Sequence, residues 1–321
     1  MRTVAGLLMA ALASGVSASS AESPYPSRPV RFVVPYAAGG GSDTIARLLG
    51  QKLGESLGQM FVVDNRPGAG SMLGTEVVAR AAGDGHTLIL ADSPHVINTV
   101  TYARPRYDAI KDFRAVAQVA TTPMLLVANP SFRQSSLKEL LALPRSATEK
   151  LSFGSAGVGS LPHMMYELLH FRTGLVLNHV PYKGGGPSIN DVVAGQIPMA
   201  FSGTPPCMPF LRAGKLKALA VAGVQRHPSL PAVPTFVESG VTDFVVYNWY
   251  GVLAPAGTPG AIVGLLNRQI VKAMSSPEMV ERFTGLGLDI ATGSPEELNR
   301  SLAAEFKRWH QISSKAGVRI D

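Results

Sequence analysis

A strand that ends in Val-Pro-Tyr and turns through a run of glycines into a helix occurs twice in this chain. Val34-Pro35-Tyr36-Ala37-Ala38-Gly39-Gly40-Gly41-Ser42 does so in the first half, and Val180-Pro181-Tyr182-Lys183-Gly184-Gly185-Gly186-Pro187-Ser188 in the second. A third junction, Gly154-Ser155-Ala156-Gly157-Val158-Gly159-Ser160, also joins a strand pattern to a helical one. Strand–glycine–helix junctions belong to parallel sheets covered by helices, and a copy in each half predicts two such units. The chemistry follows from the backbone. A helix N-terminus leaves about four N–H groups without intrahelical partners, at the positive end of the helix dipole. Glycines remove the Cβ atoms that would keep an anion away, and Ser42, Ser155 and Ser160 add hydroxyls. Loops of this kind bind phosphate, sulfate or carboxylate, and in open α/β sheets the ligand crevice lies at these strand ends. For any single loop an ordinary tight turn is the plain alternative.

The rest of the chain alternates in the same way. Strand patterns at 30–34, 61–64 and 87–91 enclose helical ones at 43–57 and 72–82, a β-α-β-α-β order. The pattern restarts with strands at 115–120, 124–128, 151–154, 178–182, 198–202 and 216–222, and helices at 136–143, 160–172, 187–194 and 206–213. A Pro-broken segment follows, then an extended run at 245–253 and helices at 258–274, 277–286 and 295–316. The apolar extended runs 117–128 and 245–254 are expected to be crossings between two lobes. The expected organisation is therefore α/β and two-lobed with a two-strand hinge. One lobe is discontinuous, 22–123 plus 250–321, and the other is 124–249. Two units also suit the length, because single cores stop growing near ~250–300 residues.

Residues 1–21 hold one charge, Arg2, an apolar stretch from Val4 to Val16, and Ser19-Ser20-Ala21. That is the layout of a secretory signal peptide, and the apolar stretch is shorter than the roughly 20 residues a membrane span needs. An exported, periplasmic protein is expected. Lys plus Arg is 29 and Asp plus Glu 22, a net charge of +7. The basic residues are scattered and aromatics are few, which argues against a nucleic-acid partner. The single cysteine, Cys207, permits no internal disulfide and is read as a small buried residue.

Enzyme motifs fail on inspection. A G-x-G-x-x-G begun at Gly39 meets Thr44 where glycine is required, no phosphate-loop motif occurs, and G-x-S-x-G around Ser155 meets Phe153. The seven histidines are dispersed, so no metal and no cofactor are expected. Other candidates are positional. His95, in Asp92-Ser93-Pro94-His95 after the third strand, is expected on a loop with reach to the cleft, an exposed loop histidine being the alternative. His163 starts a helix and lines the cleft or packs. Asp43 caps its helix or binds an ammonium or bridging water. Tyr36 and Tyr182 are wall or core.

On these loops, together with Asp64-Asn65-Arg66-Pro67-Gly68-Ala69-Gly70, Gly83-Asp84-Gly85-His86-Thr87-Leu88, Gly214 to Val221 and Leu253 to Pro259, the chain resembles the Bug family, the extracytoplasmic solute receptors of tripartite tricarboxylate transporters. The resemblance runs in order through essentially the whole chain after residue 21. It implies a Venus-flytrap, type II-like periplasmic binding protein, non-enzymatic and expected to be monomeric. Such a receptor captures a di- or tricarboxylate, an acidic amino acid or an aromatic acid and hands it to membrane transporter subunits. The residues matching the carboxylate loops are Tyr36, Ala38, Gly39, Gly40, Ser42, Asp43, Ser155, Ala156, Ser160 and Gly184. Those expected by position to choose the ligand include Ser93, His95, Ser202 and Gly203. Asp92, and Ser202-Gly203 after Phe201, depart from the family pattern. Readings from other classes are a ligand-sensing partner of a signalling receptor and an exported α/β hydrolase using Ser155.

Overall fold

The computed structural model describes residues 25–316 and 319–320; the expected signal peptide, 1–21, lies outside the described residues. The elements are β1 (Val30–Val34), α1 (Gly41–Leu57), β2 (Phe61–Asn65), α2 (Met72–Ala79), β3 (Thr87–Asp92), α3 (Pro94–Thr101) and β4 (Phe113–Ala128). There follow α4 (Leu137–Leu141), α5 (Arg145–Thr148), β5 (Ser152–Ser155), α6 (Leu161–Thr173), β6 (Asn178–Pro181), α7 (Gly185–Val193), β7 (Met199–Gly203), α8 (Thr204–Arg212) and β8 (Lys217–Val221). The chain ends with β9 (Tyr247–Pro255), α9 (Gly260–Met274), α10 (Pro277–Gly285), β10 (Asp289–Ile290) and α11 (Pro295–Ala316).

Two sheets share the strand β4. In the first, β2, β1, β3, β9 and β4 lie side by side, with β9 antiparallel to both its neighbours. In the second the order is β6, β5, β7, β4, β8, with β4 antiparallel to β7 and β8. Each sheet therefore reads second, first, third, visitor, fourth, where the visitor is a strand arriving from the other unit. The visitors β9 and β4 are the two expected crossings. They run antiparallel past each other, and Pro123 pairs with Tyr247 where the register passes from one sheet to the other.

The sequence expected 115–120 and 124–128 as separate strands, but β4 is a single 16-residue strand. Pro123 tolerates this position because it sits where the strand leaves one sheet for the next and ladder bonding changes partners. The segment after β3, expected to be a loop, is the helix α3, started by Pro94 at its first turn.

Each sheet has its own core. Phe32, Leu49, Leu53, Val116, Val252, Leu266 and Phe283 pack on the first. Leu126, Phe153, Met164, Leu169, Phe201, Phe236 and Phe244 pack on the second. Helix α11 serves both: Leu298 and Leu302 join a cluster with Ile89 and Leu253, while Trp309 sits in the core of the second sheet. A polar knot marks the crossing. The Thr204 hydroxyl donates to Gly287 O at 2.7 Å and lies 2.6 Å from the Thr122 hydroxyl, both threonines being buried.

Candidate functional site

Five helices begin at one cavity between the two sheets. Gly41 and Ser42 of α1, Pro94 of α3, Leu161 and Pro162 of α6, Gly185 of α7, and Gly203 and Pro206 at the start of α8 all line it. The five are not equivalent as anion binders. Proline has no N–H, and it occupies the first turn of α3 (Pro94), α6 (Pro162) and α8 (Pro205, Pro206). Helix α1 has no proline there, and α7 opens on Gly185 and Gly186 before Pro187. Helix α1 therefore keeps every first-turn N–H, and in α7 the two leading N–H groups belong to glycines, with no Cβ to hold an anion away. Measured for the centres of water-sized groups, the cavity volume is about 50 Å³. One water needs ~10–15 Å³ on that measure, so the closed site suits a small ligand.

The two Val-Pro-Tyr-glycine loops touch across this cavity. Ala37 N donates to Lys183 O at 2.9 Å. A Cβ on Gly186 would lie 2.8 Å from the Gly39 carbonyl carbon and oxygen, so the loops pack backbone to backbone. A second bridge lies beside it. Gly70, at φ +57°, abuts the Val158–Ser160 backbone, and a Cβ there would meet Val158 O. Asn98 Nδ2 donates to Gly70 O at 3.0 Å and secures that turn.

The floor is made by the ends of β1, β3 and β9. Tyr36 Oη donates to Asp92 Oδ1 at 3.1 Å, and Asn248 and Tyr250 complete this wall. Asn248 accepts from Ser93 N through its Oδ1 at 3.1 Å, which leaves its amide N–H groups for Asp92. Burial pushes the Asp92 carboxyl up to about 7, although the Tyr36 and Asn248 bonds favour its charged form. Among the described residues, no Lys, Arg or His lines the cavity.

Of the sequence candidates, Tyr36, Gly40, Ser42, Ala156, Ser202 and Gly203 line the cavity. The others are placed elsewhere. Ala38 is exposed on the outer side of its loop. Gly39 N donates to Asp43 Oδ2 at 3.0 Å, and Asp43 also takes bonds from Arg47 and Asn65. Burial opposes the charge on Asp43, but those bonds outweigh it and hold the carboxyl below its usual range; it ties the loop rather than facing the cavity. Gly184 is the residue before α7, at φ +152°, packed near Ala37.

Ser160 Oγ donates to Gly157 O at 2.6 Å. The buried Ser155 hydroxyl lies 2.6 Å from His179 Nε2 and accepts from Gly157 N. This serine–histidine pair is a structural tie. The His179 ring lies flat against His163 and Phe153, and burial, with the neighbouring His163, lowers its pKa to about 4. His163 accepts from Gly159 N and lies 3.4 Å from Glu167. Ser93 is fully buried behind the floor. His95 is the clearest departure from expectation. It is 1 % exposed, its Nε2 lies 2.9 Å from Ala109 O, and Tyr107 and Phe113 enclose its ring. Helix α3 turns it into the core, and burial drops its pKa to about 4.

The lining residues not singled out beforehand include Gly41, Gly185, Met124, Pro206, Asn248 and Tyr250. Asn248 and Tyr250 had a readable signal. Both lie on the expected crossing strand, two apart, and alternate residues of a strand share a face.

A family model described as "Tripartite tricarboxylate transporter family receptor" matches residues 45–318. The chain is 39% identical over 312 residues (97% of this chain, 93% of the relative) to the UPF0065 protein in the tcbD-tcbE intergenic region of Pseudomonas sp. strain P51. It is 35% identical over 309 residues (96% and 95%) to protein BugT of Bordetella pertussis. Among solved structures, the periplasmic binding protein BugD superposes with a TM-score of 0.89 at 34% identity, covering 92% of this chain and 99% of that one. A Rhodopseudomonas palustris protein solved with adipate gives 0.88 at 34% (92% and 99%). MatC from the same organism, with bound malate, gives 0.86 at 35% (90% and 99%).

Proposed function

The chain belongs to the tripartite tricarboxylate transporter receptor family, a family of non-enzymatic solute-binding proteins, and we propose that it captures a small carboxylate between its two sheets for membrane transporter subunits. The observation that carries this reading is the meeting of α1 and α7 at the cavity. Each offers free N–H groups and the positive end of a dipole. One helix comes from each side, so a carboxylate held by both also holds the cleft shut. The relatives solved with adipate and malate support a carboxylate ligand.

The working parts follow from the same geometry. Gly40, Gly41, Ser42, Gly185 and Gly186 hold the carboxylate through backbone N–H groups. Tyr36, Ala156, Ser202 and Gly203 shape its surroundings. Gly39, Asp43, Ser155, Ser160, His163 and Gly184 hold the loops in place. The lobes divide at the crossings, 22–123 plus 250–321 against 124–249, and β4 and β9 serve as the two-strand hinge. Helix α11, packed on both cores, bends or slides when the cleft opens. The protein acts as a periplasmic monomer, exported by residues 1–21. No described helix is long and apolar enough to cross a membrane.

Thermal unfolding against a panel of carboxylates, amino acids and sugars tests the reading. A ligand at 100 times its Kd stabilises the folded state by about 2.7 kcal/mol. A shift with a carboxylate, abolished by Gly40→Val, supports it. A shift only with sugars, or one retained by Gly40→Val, overturns it.

A further inference from the structure

Among the described residues, Asp92 is the one Asp, Glu, Lys, Arg or His side chain in the cavity wall. It is 5 % exposed, and no Lys, Arg or His among the described residues faces it. The groups around it are Tyr36 on the first loop, Asn248 and Tyr250 on β9, and Tyr107 before β4. Tyr36, Asn248 and the Asp92 backbone N–H supply three hydrogen bonds, whereas a carboxylate has about four acceptor sites. A buried charge without a partner is costly, and this one borders the place where a ligand sits.

Charge counting says what is missing. The α1 and α7 N-termini carry about half a positive charge each, which balances one ligand carboxylate. Ionised Asp92 then leaves one negative charge unbalanced. A second ligand carboxylate would make that worse, and an ammonium would cancel it. Resting on the carboxylate reading above, we infer that Asp92 recognises a cationic nitrogen, so that this receptor takes zwitterionic amino-carboxylates in preference to dicarboxylates. In the complex the carboxylate end lies between α1 and α7, and the ammonium end donates to Asp92. The relatives solved with adipate and malate hold dicarboxylates, so the selectivity differs although the fold is shared.

The competing chemistry is a protonated Asp92 donating to a second ligand carboxylate, and burial makes that form accessible near neutrality. The two have opposite pH signatures. An ammonium needs Asp92 ionised, so its affinity rises as pH goes from 6 to 8.5. A second carboxylate needs Asp92 protonated, so its affinity falls over the same range.

The test is calorimetric titration of the full mature protein with two length-matched series. One is glycine, β-alanine, 4-aminobutanoate and 5-aminopentanoate; the other is malonate, succinate, glutarate and adipate. Butyrate and n-butylamine serve as single-ended controls. The expected result is at least tenfold tighter binding of the best amino-carboxylate than of any dicarboxylate, strengthening with pH, with the preference lost in Asp92→Asn. Tighter dicarboxylate binding, an affinity falling with pH, or an unchanged preference in Asp92→Asn overturns the inference and leaves the carboxylate reading standing. Binding of n-butylamine as tight as that of 4-aminobutanoate overturns the carboxylate reading and leaves Asp92 as a cation site. Binding of neither series overturns both. The wild-type ratio and its pH profile decide the matter even if Asp92→Asn folds poorly.

Discussion

Replacing Gly186 by alanine isolates the closed state from the fold. In the closed form a Cβ at this position lies 2.8 Å from Gly39 C and O and 3.1 Å from Gly40 N. Carbon atoms in comfortable contact sit about 3.5–4.0 Å apart, so something must move by roughly 0.7 Å. The obstructing atoms are backbone, in a loop tied by the Gly39–Asp43 bond and the Asp43–Arg47 pair, and cannot rotate away. Overpacking of this kind costs about 1–3 kcal/mol, here borne by the closed form alone. At 1.4 kcal/mol per decade the ligand Kd should rise about 5- to 150-fold. The open form pays nothing, because Gly186 does not have a positive φ and alanine is the better helix former. Titration calorimetry gives the Kd, and scattering with and without ligand gives the closure. An affinity within about twofold of wild type would refute the reasoning, since Gly39 and Gly186 would then not meet in the liganded protein.

Three further outcomes are expected. Gly264→Ala in α9 places its Cβ 3.4 Å from the movable end of Arg268; it should raise stability by up to about 1 kcal/mol in denaturant unfolding and leave the Kd unchanged. Asp92 binds a proton in the unliganded fold at pH values where the unfolded chain, at 3.8, has released it. Its stabilising share is therefore complete below about pH 4 and is lost as pH rises to about 7, a fall of about 4 kcal/mol at most; urea unfolding from pH 4 to 8 should show this slope flattened in Asp92→Asn. Burial pushes the Cys207 thiol up to about 12, so a thiol reagent should label the native protein at pH 8 only on the timescale of unfolding, and rapid native labelling would contradict its place in the core.

What the sequence revealed and what it concealed divide along a physical line. The elements were legible because strand–turn–helix units announce themselves locally. Phe61–Asn65 follows from its apolar run, and Leu161–Thr173 from apolar period with Ser160 at the N-cap position and Gly174 just past the end, all within one turn of the residues concerned. The glycine junctions before α1 and α7 were legible for the same reason, since a tight strand-to-helix turn is marked by its glycines. Side-chain direction was not. His95 read as a loop residue because Pro94 and the polar residues before it resemble a turn, whereas Pro94 starts α3 and the helix aims the imidazole at Ala109. Ser155 read as a ligand donor, yet its hydroxyl is claimed by His179, 24 residues away.

The same division explains how one scaffold can serve many solutes. On the proposed reading, the end of the ligand at α1 and α7 meets main chain, which nearly any sequence with glycines there can supply. The other end meets Asp92, Asn248 and Tyr250, side chains delivered by β3 and by a strand more than 150 residues further on. A substitution at the backbone end, such as Gly40→Val, should then remove binding of every carboxylate. One at the floor, such as Asp92→Asn, should keep the carboxylate and change what is attached to it. On this reading the floor can vary without loss of capture, and in this chain it carries Asp92.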